Sequence, residues 1–349
     1  MYKYISLLFI FILIKTNAQI NKQLTDNWTK VKSKMLDGSR DLSENDERIL
    51  TWKITDNKLC EYMHPIFEDM KTCMDIKIED QNIRASALAF YEIEKITPDS
   101  LVVISRINGE TSGDKIKKIW FVRTSKRRDE FLSKIKSDST ITASRYFTPT
   151  LKKNIFSDIY DRYPNDFHIS GNIIIYPKKH TVNIQHENTN QSKKSLESIE
   201  FLKSTLEKSY HLWNLEGFEN FDQVSIPFNI ENKTKYMGSF EGATMSFTFF
   251  KNELKSPNKI PVKIENKFLS NETFLKGIKA VDDKKLDKAM ELFNKAFELN
   301  NTNTDALYNI VSISLSKNDV TTACMALKKL KDFEQTEGTK IFNEKCLKH

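Results

Sequence analysis

A helix-facing pattern recurs in the last eighty residues of this chain at an interval of thirty-four. Ala289, Phe293 and Ala296 fall on one face of KLDKAMELFNKAFELN (285–300). Ala323, Leu327 and Leu330 take the same places in VTTACMALKKLKDF (320–333). Residues three and four apart stand above one another on a helix, so each trio forms a stripe. Small residues in such a stripe let a second helix come close. A fixed interval of this length means helical hairpins stacked on copies of themselves. Helices are expected at Glu272–Asp282, Lys285–Asn300, Asp305–Ser316 and Val320–Phe333, with a cap at Lys340–Leu347. An assembly of this kind offers a surface for contact, not a place for bond-making.

The interval, with Gly277 where two helices must approach, resembles the tetratricopeptide repeat. The resemblance implies packing through Gly277, Ala289, Phe293, Ala296, Ala323 and Leu327. It also implies a face for a protein or peptide, with Tyr308, Asn309 and Asn343 as its expected lining. Asn301-Thr302-Asn303 stands in place of the usual Pro-containing turn, and Thr304 or Asp305 is expected to cap the next helix. Ala280 and Ser314 stand where Tyr is common. Two repeats make either a peptide-holding groove or a lid on the preceding domain.

The N-terminus sets the compartment. Lys3 precedes the apolar run ISLLFIFILI (5–14), and Lys15-Thr16-Asn17-Ala18 follows with small residues at the cleavage position. That is the build of a secretory signal peptide, residues 1–18. The run is shorter than the roughly 20 residues a membrane-spanning helix needs, and no Cys is near the cut, so no stable membrane anchor is expected. Abundant Lys, Asn and Ile with only 9 Gly in 349 residues look like an AT-rich bacterial genome. The expected location is the periplasm or the cell exterior.

Four cysteines in an exported chain are expected to pair. Four allow three connectivities, and position favours the local pairs Cys60–Cys73 and Cys324–Cys346. No C-x-x-C or His-x-x-x-His text suggests a metal site. Loss of Lys3 and Lys15 lowers the net charge from +7 to +5. The charges are interleaved: Lys126-Arg127-Arg128 runs straight into Asp129-Glu130, the pattern of a solvated surface and not of a nucleic-acid groove.

Within an expected domain at 25–135, the chain from Trp28 to about Thr124 alternates in the manner of half-buried strands. Eight are expected: Trp28–Met35, Ile49–Thr55, Lys58–Met63, Met74–Glu79, Asn82–Ser86, Ala89–Ile96, Ser100–Ile107 and Ile116–Arg123. Polar turn text separates them, so the predicted product is an antiparallel meander closing into a barrel or curled sheet. With Trp28 opening the first strand and Trp52 and Trp120 further on, the region resembles the lipocalin-like domains of exported bacterial proteins. Trp52, Phe90, Tyr91 and Phe121 would then line the interior. They either fill it as core or accept an apolar small molecule.

Residues 145–250 read as α+β. A helix is expected near Leu151–Tyr160, capped by Thr148 or Thr150. Strands are expected at Gly171–Tyr176 and His180–His186, a helix at Leu196–Tyr210, and a strand at Asp222–Ile230. Gly171, then Trp213, then Val224-Ser225-Ile226-Pro227-Phe228 resemble the C-terminal domain of TonB. The resemblance implies a sheet able to take up a peptide strand, unless Phe240–Phe250 covers that edge. Residues 251–268 read as a linker into the helical region, 270–349.

No H-E-x-x-H, G-x-S-x-G, Walker loop or G-x-G-x-x-G occurs. His180 and His186 read as surface histidines, and no catalytic residue, metal or cofactor is expected. The sequence thus describes a multi-domain chain: antiparallel β first, α+β second, a helical stack last. The expected role is non-enzymatic binding of another envelope protein or peptide, with an apolar-ligand carrier as the alternative.

Overall fold

The structure, a computed structural model, describes residues 22–43, 49–79, 81–135, 139–156, 166–187, 192–237, 240–250 and 260–347. The expected signal peptide, 1–18, lies outside them. The chain divides into two compact units. The first holds Met1–Lys32, Asp46–Val103 and Ile119–Lys255; the second holds Ser33–Asn45, Ile104–Lys118 and Ser256–His349.

The described chain begins with a meander, most of whose residues belong to the first unit. Its strands are β1 (Asn27–Met35), β2 (Thr51–Ile54), β3 (Lys58–Tyr62), β4 (Lys71–Asp75), β5 (Lys77–Glu79), β6 (Asn82–Arg84), β7 (Ala89–Ile96), β8 (Ser100–Ile107) and β9 (Lys117–Arg123). They form one sheet in the order β4-β3-β2-β1-β9-β8-β7-β6-β5. The two end strands of that order are separated in sequence by Ile76 alone, so the sheet curls into a nearly closed barrel. The sequence suggests one strand over Met74–Glu79. Instead the chain bends at Ile76, so that β4 before it pairs with β3 and β5 after it pairs with β6. The Ile76 amide donates to Asn57 O (2.9 Å), and its side chain is buried.

Large side chains fill the barrel, as is usual for small ones. Trp28, Trp52, Leu59, Ile83, Leu101 and Val103 have no exposed surface. The Trp52 ring lies 4.3 Å from that of Phe121 and 4.7 Å from that of Tyr91. The indoles keep polar partners: Trp28 Nε1 donates to Leu24 O and Trp52 Nε1 to Glu61 Oε1. Phe90 does not join this group; the Arg84 guanidinium sits 5.1 Å over its ring. Successive residues of a strand face opposite ways, so Phe90 and Tyr91 cannot both point inward. Cys60 and Cys73 stand directly opposite on β3 and β4 and are disulfide-bonded.

Helix α1 (Thr124–Leu132) follows β9, and the rest of the unit is α+β. Its strands are β10 (Thr140–Thr142), β11 (Thr150–Leu151), β12 (Phe167–Tyr176), β13 (Thr181–His186), β14 (Trp213–Asn214), β15 (Gln223–Met237) and β16 (Phe240–Phe249). In the larger sheet β13, β12 and β15 are neighbours, and β10 and β16 both pair with β15. Gly171 faces His186, where an added Cβ would lie 2.0 Å from Gln185 O, so only glycine permits this pairing. Helix α2 (Lys193–Glu207) buries Ile199, Leu202 and Leu206; capped by Ser192, it begins three residues before the expected start. The expected edge-covering strand is present as β16. The expected helix at Leu151 is not: Leu151 belongs to β11, paired with Trp213, and its amide donates to Ile66 O. Residues 157–160 of that expected helix lie outside the described residues.

The second unit is built on α3 (Lys267–Asp282), α4 (Leu286–Leu299), α5 (Thr304–Ser316), α6 (Val320–Asp332) and α7 (Thr336–Lys345). The first starts inside the stretch read as a linker, because the Asn266 side chain accepts from the Leu269 amide and caps it. Ala289, Phe293, Ala296, Leu327 and Leu330 have no exposed surface, and Ala323 is 1% exposed. A Cβ on Gly277 would meet the Phe293 ring at 2.6 Å. Thirty-four residues on, the equivalent positions hold Val311 and Leu327, both buried in the same core. Asn303, not Thr304 or Asp305, is the residue before α5; its Nδ2 donates to Ser270 Oγ. The Cys324–Cys346 disulfide ties α6 to the end of α7.

Residues 33–45 pack on these helices. Ser39 Oγ donates to Asp37 and accepts from the Thr336 amide (2.9 Å), supplying from afar the cap that α7 lacks locally. Arg40 N donates to Glu334 O. Behind them Asp41, 3% exposed, accepts from Ser33 and Ser43 and pairs with Lys117. Burial raises its carboxyl pKa, but Lys117 and the two hydroxyls outweigh that and hold it below the usual value.

Candidate functional site

In the second unit, a cleft of about 450 Å³ opens beside Tyr308, the first of the residues expected to line a binding face. Tyr308 sits on α5, and its hydroxyl accepts from the Gly338 amide of α7 (3.1 Å). Asp37, Asp114, Asp305 and Glu337 complete the wall with Ser112 and Gly113. Each carboxylate has a local origin. Asp305 and Glu337 lie in first turns of helices, where the dipole favours them. Asp37 closes its own turn on the Ser39 amide and hydroxyl, and Asp114 accepts from Ser112. Together they give a cleft with four carboxylates and no lining cation. The Tyr308 phenol is pushed up by burial first, then by Asp114, Asp37 and Glu337.

Asn309 and Asn343 do not reach this cleft. Asn309 Nδ2 bonds back to Asp305 O on its own helix, and Asn343 Oδ1 accepts from Lys331. Trp52 and Phe121 lie in the barrel core, and Phe90 outside it. His180 is not on a strand beside His186. It holds the turn after Pro177–Lys179 at φ 55°, its ring stacked on Tyr210. Among the described residues no group of His, Cys, Asp or Glu has the arrangement of a metal site.

A second cavity, also about 450 Å³, lies in the first unit and draws on residues from Asn27 to Phe218. Thr29, Thr51 and Lys53 come from β1 and β2; Tyr62, His64, Phe67 and Glu68 follow β3 or end it. Thr124 and Arg128 come from α1, and Arg145 to Thr150 close the side. His64 stacks on Phe67 at 4.4 Å and accepts the Ile66 amide at Nδ1, so its proton is on Nε2. Burial alone brings its pKa down to about 4, and the ring is neutral at neutral pH. Glu68 accepts from Thr150 and Asn214. Burial raises its pKa, yet those bonds with Lys152 and Lys71 lower it further, so it is a fixed carboxylate. Sequence reading singled out none of these as site residues, since they are brought together only by the fold.

No family model matches the chain, and neither the curated proteins nor the solved structures compared with it gave a match. The two disulfides point to a non-reducing compartment. No helix among the described residues is long and apolar enough to cross a membrane.

Proposed function

We propose that this chain is an exported, non-enzymatic binding protein of a bacterial envelope, whose helical region holds a partner protein or peptide. On this reading α3 to α7 form a short tetratricopeptide-like stack, and residues 145–250 a degenerate TonB-C-terminal-like module whose role is architectural. The observation that carries the reading is the cleft at Tyr308. Four carboxylates around one half-buried aromatic ring suit a segment bearing Lys or Arg, whose stem packs on the ring while its charge meets the rim. The 34-residue interval supports it, because repeat stacks present contact surfaces.

The alternative, a carrier of an apolar ligand within the barrel, draws no support from an interior occupied by Trp28, Trp52 and Phe121.

The test uses the whole mature chain and two fluorescein-labelled nonapeptides, one alternating Lys and Ala, the other Glu and Ala, read by anisotropy. The basic peptide is expected to bind and the acidic one not. Glu337→Lys and Tyr308→Ala each weaken binding tenfold or more, and added salt weakens it further. Equal binding of both peptides, or variants without effect, would discard the reading.

A further inference from the structure

The first-unit cavity has an electrostatic oddity at α1. The helix opens Thr124-Ser125-Lys126-Arg127-Arg128, with no acidic residue in its first turn and no side-chain cap. The N-terminal end of a helix is positive, so each cation placed there is disfavoured by roughly 0.3–1 kcal/mol. Lys126 is compensated by Asp99 (2.8 Å) and Arg127 by Glu130 (3.2 Å). Among the described residues Arg128 pairs with the adjacent Asp129 at 3.4 Å, both side chains being exposed, a contact of little weight. Local rules broken without local compensation mark functional positions more often than neutral ones.

Thr124, the first residue of α1, and Arg128, one turn further on, both line the cavity, and Arg145 and Lys53 stand there too. The Arg127 and Arg145 guanidiniums both lie over the Tyr146 ring, at 5.3 and 5.7 Å, an arrangement that holds this basic side in place. Of the two lining carboxylates, Glu68 is already occupied by Thr150 and Asn214 and faces Lys71 and Lys152. The other, Glu216, is exposed to solvent. Much of the rest of the wall is aromatic or hydroxylic: Tyr62, Phe67, Phe147 and Phe218 among the rings, several threonines between them. A volume of about 450 Å³ is within the range of small-molecule sites.

We infer that this cavity binds a small organic anion carrying a flat apolar ring. Its carboxylate, sulfonate or phosphate meets Arg128, Arg145 and the uncapped end of α1, and its ring lies among Tyr62, Phe67 and Phe147. The site is separate from the Tyr308 cleft, opposite in charge, and does not depend on the function proposed for that cleft.

Two fluorescent probes test it on the whole mature chain: 8-anilinonaphthalene-1-sulfonate and its uncharged parent, N-phenyl-1-naphthylamine. The sulfonate is expected to bind at one site. Its Kd should rise tenfold or more in Arg128→Gln and in Arg145→Gln, and with added salt, and the uncharged probe should bind more weakly and not respond to either change. Arg128 is exposed on its own helix, so its variant keeps the fold even if Arg145→Gln does not. Phe268→Ser, which removes a 79% exposed ring on α3, is expected to leave sulfonate binding unchanged. Unaltered sulfonate binding in Arg128→Gln, equal binding of the uncharged probe, or loss of signal in Phe268→Ser would each overturn the inference.

Discussion

The barrel and the helical stack are held together by opposite means. The barrel interior is closed by a few large side chains, Trp28, Trp52 and Phe121 among them. In the helices, small residues such as Gly277, Ala289, Ala296 and Ala323 make room for large ones such as Phe293 and Leu327. Each also carries one disulfide, spanning 13 residues in the barrel and 22 in the stack, worth about 3 kcal/mol apiece by loop entropy. With the crosslinks nearly matched, the difference lies in the cores. One should fail when it loses volume and the other when it gains volume.

The strongest challenge to that contrast is Trp52→Ala, expected to cost about 4 kcal/mol in chemical denaturation. A cost under about 1 kcal/mol would mean the barrel collapses onto the gap and is not held by its large residues. Next is acid. Between pH 6.5 and about 4 the unfolded chain protonates His64 while the folded chain keeps it neutral, so the unfolded state binds more protons there. Stability should therefore fall as pH drops through that window, by up to about 3 kcal/mol. His64→Phe should flatten the profile, which urea titrations across pH will show.

On the helical side, Gly277→Ala is expected to cost about 2 kcal/mol by pressing on the Phe293 ring. The positions thirty-four residues on suggest the cure, since they hold Val311 and Leu327, a larger residue in place of Gly277 and a smaller one in place of Phe293. Combining Gly277→Ala with Phe293→Leu should recover at least about 1 kcal/mol relative to the sum of the single changes. Strict additivity would show that the two positions do not share a volume. The smallest effect concerns Ser314, fully buried with no partner for its hydroxyl among the described residues. Ser314→Ala should raise stability by about 1 kcal/mol, and a lower thermal midpoint would show that the hydroxyl is satisfied.

The two regions also differ in how far they could be read from sequence. Strand alternation located the meander well, because each strand answers to its nearest neighbours in the chain. The 34-residue interval located the helices for the same reason, and both disulfides join cysteines close in sequence. Phe90 was a misreading that alternation itself forbids once Tyr91 is placed inward. What sequence did not disclose depends on distant partners. The bend at Ile76 is set by β3 and β6 together. Asp41 gains meaning only from Lys117, and the Ser39 hydroxyl only from a helix almost three hundred residues later. The Tyr308 cleft was half legible, through Tyr308 but not through Asp37 or Asp114. The arginine-lined cavity was not legible, since Lys126-Arg127-Arg128 reads as ordinary surface until α1 is known to begin there.

The joint at Ile76 has a further consequence. A ribbon whose two selvedges nearly meet shows its neighbours few bare amides and carbonyls, so another chain finds little purchase for extending it by main-chain pairing. Whatever approaches the barrel must therefore recognise its side chains. A change of sequence on its outer faces can then alter that recognition without disturbing the backbone beneath.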